Sequence, residues 1–118
     1  MIRVCLFIKD FELGTRVADK LTYEMATIDF GENLESEIVK KADLTIVDCD
    51  QPEQGTVLFM SQLRHLNKHQ LLTGFMKLPH KETIDKLTAA GCELILPQSS
   101  LLKNIPSLLK MVRKHVPD

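Results

Sequence analysis

The sequence predicts an α/β domain of the (βα)5 kind, with five parallel strands in one doubly wound sheet. Two observations carry this expectation. Short, apolar, β-prone runs alternate along the chain with segments whose apolar residues recur every three or four positions. The length of 118 residues, with 44% hydrophobic and 26% charged residues, suits one domain with one core. Strands separated by helices need crossover connections, and right-handed crossovers give a parallel sheet covered on both faces. In the common strand order 2-1-3-4-5, the topological switch lies between the first and third strands, and ligands bind outside their carboxyl ends.

The first strand is expected over Ile2 to Ile8, followed by a helix on which Leu13, Val17 and Leu21 repeat every four residues. Glu24 to Phe30 forms the second strand. Leu34 and Ile38 mark a second helix behind an Asn33 cap. Leu44 to Asp48 is a short, apolar, β-prone run that stops at the carboxylates Asp48 and Asp50 and at Pro52, the pattern of a buried strand emerging at a sheet edge. A third helix, Thr56 to Leu66, carries Phe59, Leu63 and Leu66 on one stripe, and Gln70 to Met76 is the fourth strand. The fourth helix spans Lys81 to Ala90 and closes at Gly91, where a left-handed residue is wanted. Glu93 to Leu96 is the fifth strand. The last helix presents Ile105, Leu108, Leu109, Val112 and Val116 on one face, with Asn104 as its cap and Pro106 in its first turn. There are no repeats, linkers or low-complexity tracts.

A net charge of -1 gives no general attraction to nucleic acid or anionic membranes, and the basic group Lys110, Arg113, Lys114 and His115 complements the dipole of the final helix. No apolar stretch approaches the roughly 20 residues of a membrane span, and Met1 leads straight into a strand without a cleavage signal, so a cytoplasmic location is expected. Cys5, Cys49 and Cys92 lie far apart within or beside apolar runs, the spacing of buried free thiols rather than of a disulfide framework or zinc knuckle.

The topology brings Lys9 and Asp10, after the first strand, beside Asp48 and Asp50, after the third. Three carboxylates and one ammonium therefore converge. An ammonium at Lys9 is placed to pair with Asp48 or Asp10. Opposite charges about 4 Å apart interact by roughly 4 kcal/mol at an effective dielectric of 20, before desolvation is subtracted.

In length, element order and these residues the chain resembles the CheY-like receiver domains of two-component response regulators, within the flavodoxin-like class of folds. The resemblance covers essentially the whole chain. It implies that Asp48, with Pro52 four residues later, occupies the phosphoacceptor position. It also implies that Lys9-Asp10 stands where receivers keep two magnesium-binding acids, so only the second is present. Met76 stands where receivers place a threonine or serine, and Leu96-Pro97 where they place a lysine and proline. Phosphoryl transfer to a carboxylate needs a cation to offset charge and a hydroxyl to orient the phosphoryl group. Met76 and Leu96 supply neither, although Lys77, next to Met76, offers a substitute cation.

The expectation is therefore a degenerate receiver, or pseudo-receiver: a module of phosphorelay signalling whose acidic pocket is held by Lys9 and which acts by binding a protein partner rather than by enzymatic turnover. No cofactor is expected. The alternative is a working receiver, phosphorylated on Asp48 by a histidine kinase with Mg2+ on Asp10, Asp48 and the Asp50 carbonyl. A second alternative is an unrelated flavodoxin-like small-molecule-binding protein, against which the lack of a Gly-rich loop at Phe11-Glu12-Leu13-Gly14 argues. The resemblance implies a homodimer or partner surface on the fourth helix, fifth strand and fifth helix, with Leu101 and Leu102 as candidates if uncovered. The chain ends at Val116-Pro117-Asp118, so an output module is expected to be a separate protein, unless the domain is excised from a longer chain. His65, His69 and His115 read as surface histidines, and His80 lies in the loop after the fourth strand. Asp29 and Glu32 read as a solvated turn, Ser99 and Ser100 as a cap, and Cys49 as an unreactive thiol.

Overall fold

A computed structural model of the chain describes residues 1–115. Its elements are β1 (Arg3–Phe7), α1 (Phe11–Tyr23), β2 (Thr27–Phe30), α2 (Glu37–Lys41), β3 (Leu44–Asp48), α3 (Val57–Leu66), β4 (Leu71–Met76), α4 (Lys81–Ala89), β5 (Leu94–Pro97) and α5 (Gln98–His115). The five strands form one sheet in the order β2-β1-β3-β4-β5, with every pairing parallel. Alternation along each strand divides the core into two layers. Val4, Leu6, Ile46 and Phe75 pack with Val17 and Leu21 of α1 and with Leu101, Ile105, Leu108 and Val112 of α5. Cys5, Phe7, Val47 and Leu72 pack on the opposite face with Val39, Met60, Leu63 and Leu87 of α2, α3 and α4. All three cysteines are buried and free.

Three boundaries differ from the sequence reading. The second strand begins at Thr27 rather than Glu24, because Glu24 caps α1 and Met25 follows in the left-handed region at φ 67°. Ser36 caps α2, its hydroxyl accepting from the Ile38 N–H at 3.3 Å, while Asn33 accepts from the Glu35 N–H to make a local turn upstream. The largest difference is α5. It starts at Gln98, so Asn104 is not its cap but donates from Nδ2 to the Ser100 carbonyl at 2.7 Å, and Pro106 lies inside the helix. An internal proline costs a helix about 3 kcal/mol. Starting the helix at Asn104 would leave Leu101, fully buried here, without its place in the core, forfeiting about 1.5–3 kcal/mol together with the hydrogen bonds of nearly two turns. Packing therefore wins. Leu101 is accordingly a core residue and no docking candidate, whereas Leu102 is half-buried. Val116, expected on the same apolar face, lies outside the described residues. No described helix is long and apolar enough to cross a membrane.

Candidate functional site

The register Phe7 to Val47 between β1 and β3 sets the tips of these central strands side by side. Their carboxyl ends are tied together by Gln54, whose Nε2 donates to the Phe7 carbonyl at 3.0 Å and to the Asp48 carbonyl at 3.1 Å. Gln54 is only 5% exposed. It was not legible as a site residue, because Gln51 to Gly55 has the composition of a solvated turn and no periodic signal.

Asp48 ends β3 and is 6% exposed. Its Oδ1 accepts from the Asp50 N–H at 3.0 Å. Burial pushes its carboxyl above the usual value of 3.8, while the Asp50 N–H and the Lys77 charge act in the opposite direction. A carboxyl with a raised folded-state pKa contributes stability that is present below the unfolded value and lost as pH rises through the folded one. Asp48→Asn retains the acceptor for Asp50 and removes the buried charge. It should therefore raise the Tm by a few degrees at neutral pH, and the gap should close in acid, where the parent carboxyl is itself protonated. Melting both proteins across this range checks the sign.

Asp50 is turned to the neighbouring strand: its Oδ2 accepts from the Lys77 N–H at 2.8 Å, fastening the loop after β4 to the loop after β3. Asp10 caps α1, with Oδ1 accepting from the Leu13 N–H at 2.9 Å. Lys9 does not close on the acidic pocket as expected. Its ammonium bonds Glu53 Oε2 at 2.7 Å, and both side chains are largely exposed. The cause is simple: Asp48 is buried, whereas Glu53 offers an exposed carboxylate, where pairing needs little desolvation. The pair holds the Glu53 carboxyl below its ordinary value.

Met76 is the last residue of β4 and packs with Phe7, Cys49 and Cys92, while Leu96 packs from β5 against the α1 and α5 layer. Met76 belongs to the core, and Leu96 is half-buried against it. The Cys49 thiol is pushed up to about 12, by burial first, then by Cys92 and then by Asp48, so the flanking aspartates are not the leading cause. His80 occupies the N-cap position of α4 without a side-chain capping bond, and His65 and His69 are exposed. Ser99 and Ser100 sit in the first turn of α5, with the Ser100 hydroxyl donating to the Pro97 carbonyl at 3.1 Å.

Asp10 and Asp48 are the residues that would hold magnesium. One oxygen of each already accepts a backbone N–H, and the neighbouring position carries an ammonium. Among the described residues, no three His, Cys, Asp or Glu side chains gather closely enough to hold a metal ion. Magnesium takes near-octahedral oxygen ligation, commonly from one or two carboxylates and waters, and Asp10 and Asp48 are the two side chains that would supply it.

No protein-family model matches the chain, and no curated protein does. Solved structures do. A two-component response regulator from Clostridium difficile superposes with a TM-score of 0.83 at 14% identity, over 97% of this chain and 97% of that one. The fold is the CheY-like receiver fold. A putative pilus assembly-related protein from Burkholderia pseudomallei shares it, with a TM-score of 0.81 at 13% identity over 100% of this chain and 93% of that one. So does an atypical orphan response regulator described as having a phosphorylation-independent regulatory mechanism, with a TM-score of 0.71 at 19% identity over 92% and 96% of the two chains. On this fold, Asp48 lies at the end of the central strand β3, beside the topological switch between β1 and β3.

Proposed function

We propose that the protein is a degenerate receiver, a signalling module that works through binding to a protein partner without phosphorylation of Asp48. The observation that carries this reading is the fate of the positions that would assist phosphoryl transfer. Lys9 is paired outward with Glu53, Met76 is buried in the core, and Leu96 packs half-buried against it. Asp48 itself is covered, with one carboxylate oxygen held by Asp50. A phosphodonor approaching it would meet no hydroxyl at Met76 and no ammonium from Lys9, and Lys77 is left as the cation whose charge reaches Asp48. The phosphorylation-independent regulatory mechanism described for the atypical orphan regulator of the same fold supports this reading.

The partner surface that suits this reading is formed by α4, β5 and α5. There β5 is an edge strand with half-buried Leu94, Ile95 and Leu96, flanked by the exposed Met111 of α5. A kinase, an output protein or a second copy are the partners to seek on it, in a cytoplasmic setting and without a bound cofactor. Incubation with acetyl phosphate and magnesium tests the chemistry. The intact mass should stay unchanged under conditions that phosphorylate a competent receiver, and an added phosphoryl group that vanishes in Asp48→Asn would refute the reading.

A further inference from the structure

Near the acidic strand tips, which Lys77 reaches through its backbone N–H to Asp50, lies a depression of about 350 Å³ between α1 and α5. Leu13 and Arg16 come from α1, Lys77 from the loop after β4, and Gln98, Ser99 and Leu102 from the start of α5. Its charged lining is entirely positive. Neither Arg16 nor Lys77 takes part in an ion pair among the described residues, although the chain carries one more acid than base. A second depression of about 530 Å³ continues it, sharing Arg16 and Leu102 and adding Lys20 and Lys103 against the single carboxylate of Asp19. Lys20 has a partner in Glu24, but no carboxylate lines the first depression, where Arg16 and Lys77 give a positive wall open to an anion. The remaining wall adds the Ser99 hydroxyl, the Gln98 amide and the opening N–H groups of an 18-residue helix, all suited to oxygen acceptors.

We propose that this depression binds a small phosphomonoester, with Arg16 and Lys77 pairing the phosphoryl group, Ser99 and Gln98 orienting it, and Leu13 and Leu102 receiving the organic body. Arg16 supplies a planar fork of donors for two oxygens, and Lys77 a point charge. The site does not use Asp48, so it stands whether or not the reading of Asp48 does. Lys77 links the two places nonetheless: its backbone N–H holds Asp50, and its charge acts on Asp48.

Amide NMR titrations with phenyl phosphate and with inorganic phosphate, at fixed ionic strength, test the proposal. Phenyl phosphate should give saturable shifts at Lys77, Gln98 and Ser99, and bind more tightly than inorganic phosphate because Leu13 and Leu102 contact its ring. Arg16→Gln and Lys77→Gln should each weaken binding about tenfold, the loss of one charge-assisted contact. Ser99→Glu, which keeps both cations but adds a carboxylate at the mouth, should abolish it. Asp48→Asn should titrate like the parent. Unsaturable shifts, equal affinity in Arg16→Gln, or loss of binding in Asp48→Asn would each overturn the assignment. All the substituted side chains of the depression are exposed, so the variants are expected to fold, and their amide spectra report this directly.

Discussion

Replacing Asn67 with alanine should destabilise the protein by about 3–4 kcal/mol, one of the largest losses available from a single polar side chain here. Asn67 is 7% exposed and follows α3 as its C-terminal cap. Its Nδ2 donates to the carbonyls of Val39, Lys40 and Ala42 at 3.0, 3.2 and 2.9 Å. Its Oδ1 accepts from the His69 and Gln70 N–H groups at 3.1 and 3.2 Å. One amide thus satisfies the carbonyls at the end of α2 and shapes the turn into β4. It also presents Gln70, whose side chain bonds Thr45 of β3 and the carbonyls of Leu63 and Asn67. Alanine leaves several buried groups without partners, at about 1 kcal/mol or more each. Asn67→Asp separates this cause from lost packing. It keeps the shape and the accepted bonds but turns a carboxylate toward carbonyl oxygens, so it should be no more stable than Asn67→Ala. Urea denaturation of the three proteins, compared by midpoint at constant slope, decides the matter. An Asn67→Asp midpoint near the parent would show that the donated bonds carry little.

Gly55→Ala should cost about 3 kcal/mol, at the upper end for overpacking, because the added methyl meets backbone rather than a movable side chain. A Cβ at this position would lie 2.0 Å from the Cys49 carbonyl oxygen and 2.9 Å from its carbon. The loop cannot yield without breaking the Gly55 N–H bond to the Gln51 carbonyl at 2.9 Å and dragging Gln54 from the strand tips it joins. The same variant should therefore shift the amide resonances of Asp48 and Asp50 while leaving those of α5 in place. Chemical denaturation and an amide spectrum check both parts.

The strands and most helices were legible because their signal is local. Leu44 to Asp48 is apolar at nearly every position and proves buried at every position. The third helix stands one residue short of its expected start, with Thr56 as its cap accepting from the Phe59 N–H, and Gly91 does close α4, with φ at 122°. Cap chemistry and periodicity suffice for such features. Where two local signals competed, the choice rested on distance: Asn33 and Ser36 both suit a cap, and only the packing of Val39 against the core decides for Ser36. The start of α5 was misplaced for a related reason. Pro106 argues locally for a helix beginning nearby, and the burial of Leu101 that overrides it is a property of the assembled sheet.

At the site, topology alone brought Asp10, Asp48 and Asp50 to one edge, but the direction of each side chain was not legible. Asp50 turns to Lys77, Asp10 to its own helix, and Lys9 to Glu53. Gln54, Asn67 and Gln70 were missed entirely, since polar residues in short connections look alike whether solvated or buried. Only their three-dimensional partners distinguish them.

On the proposed reading, the acidic pocket at the tips of β1 and β3 is closed as a phosphoacceptor site, with Asp10, Asp48 and Asp50 each accepting a backbone N–H of the protein itself. An amide NMR titration with magnesium and beryllofluoride addresses it most directly. The account predicts that the resonances of Asp48, Cys49, Asp50, Met76 and Lys77 stay where they are in the free protein. Saturable shifts at those residues that require both reagents and disappear in Asp48→Asn would contradict it.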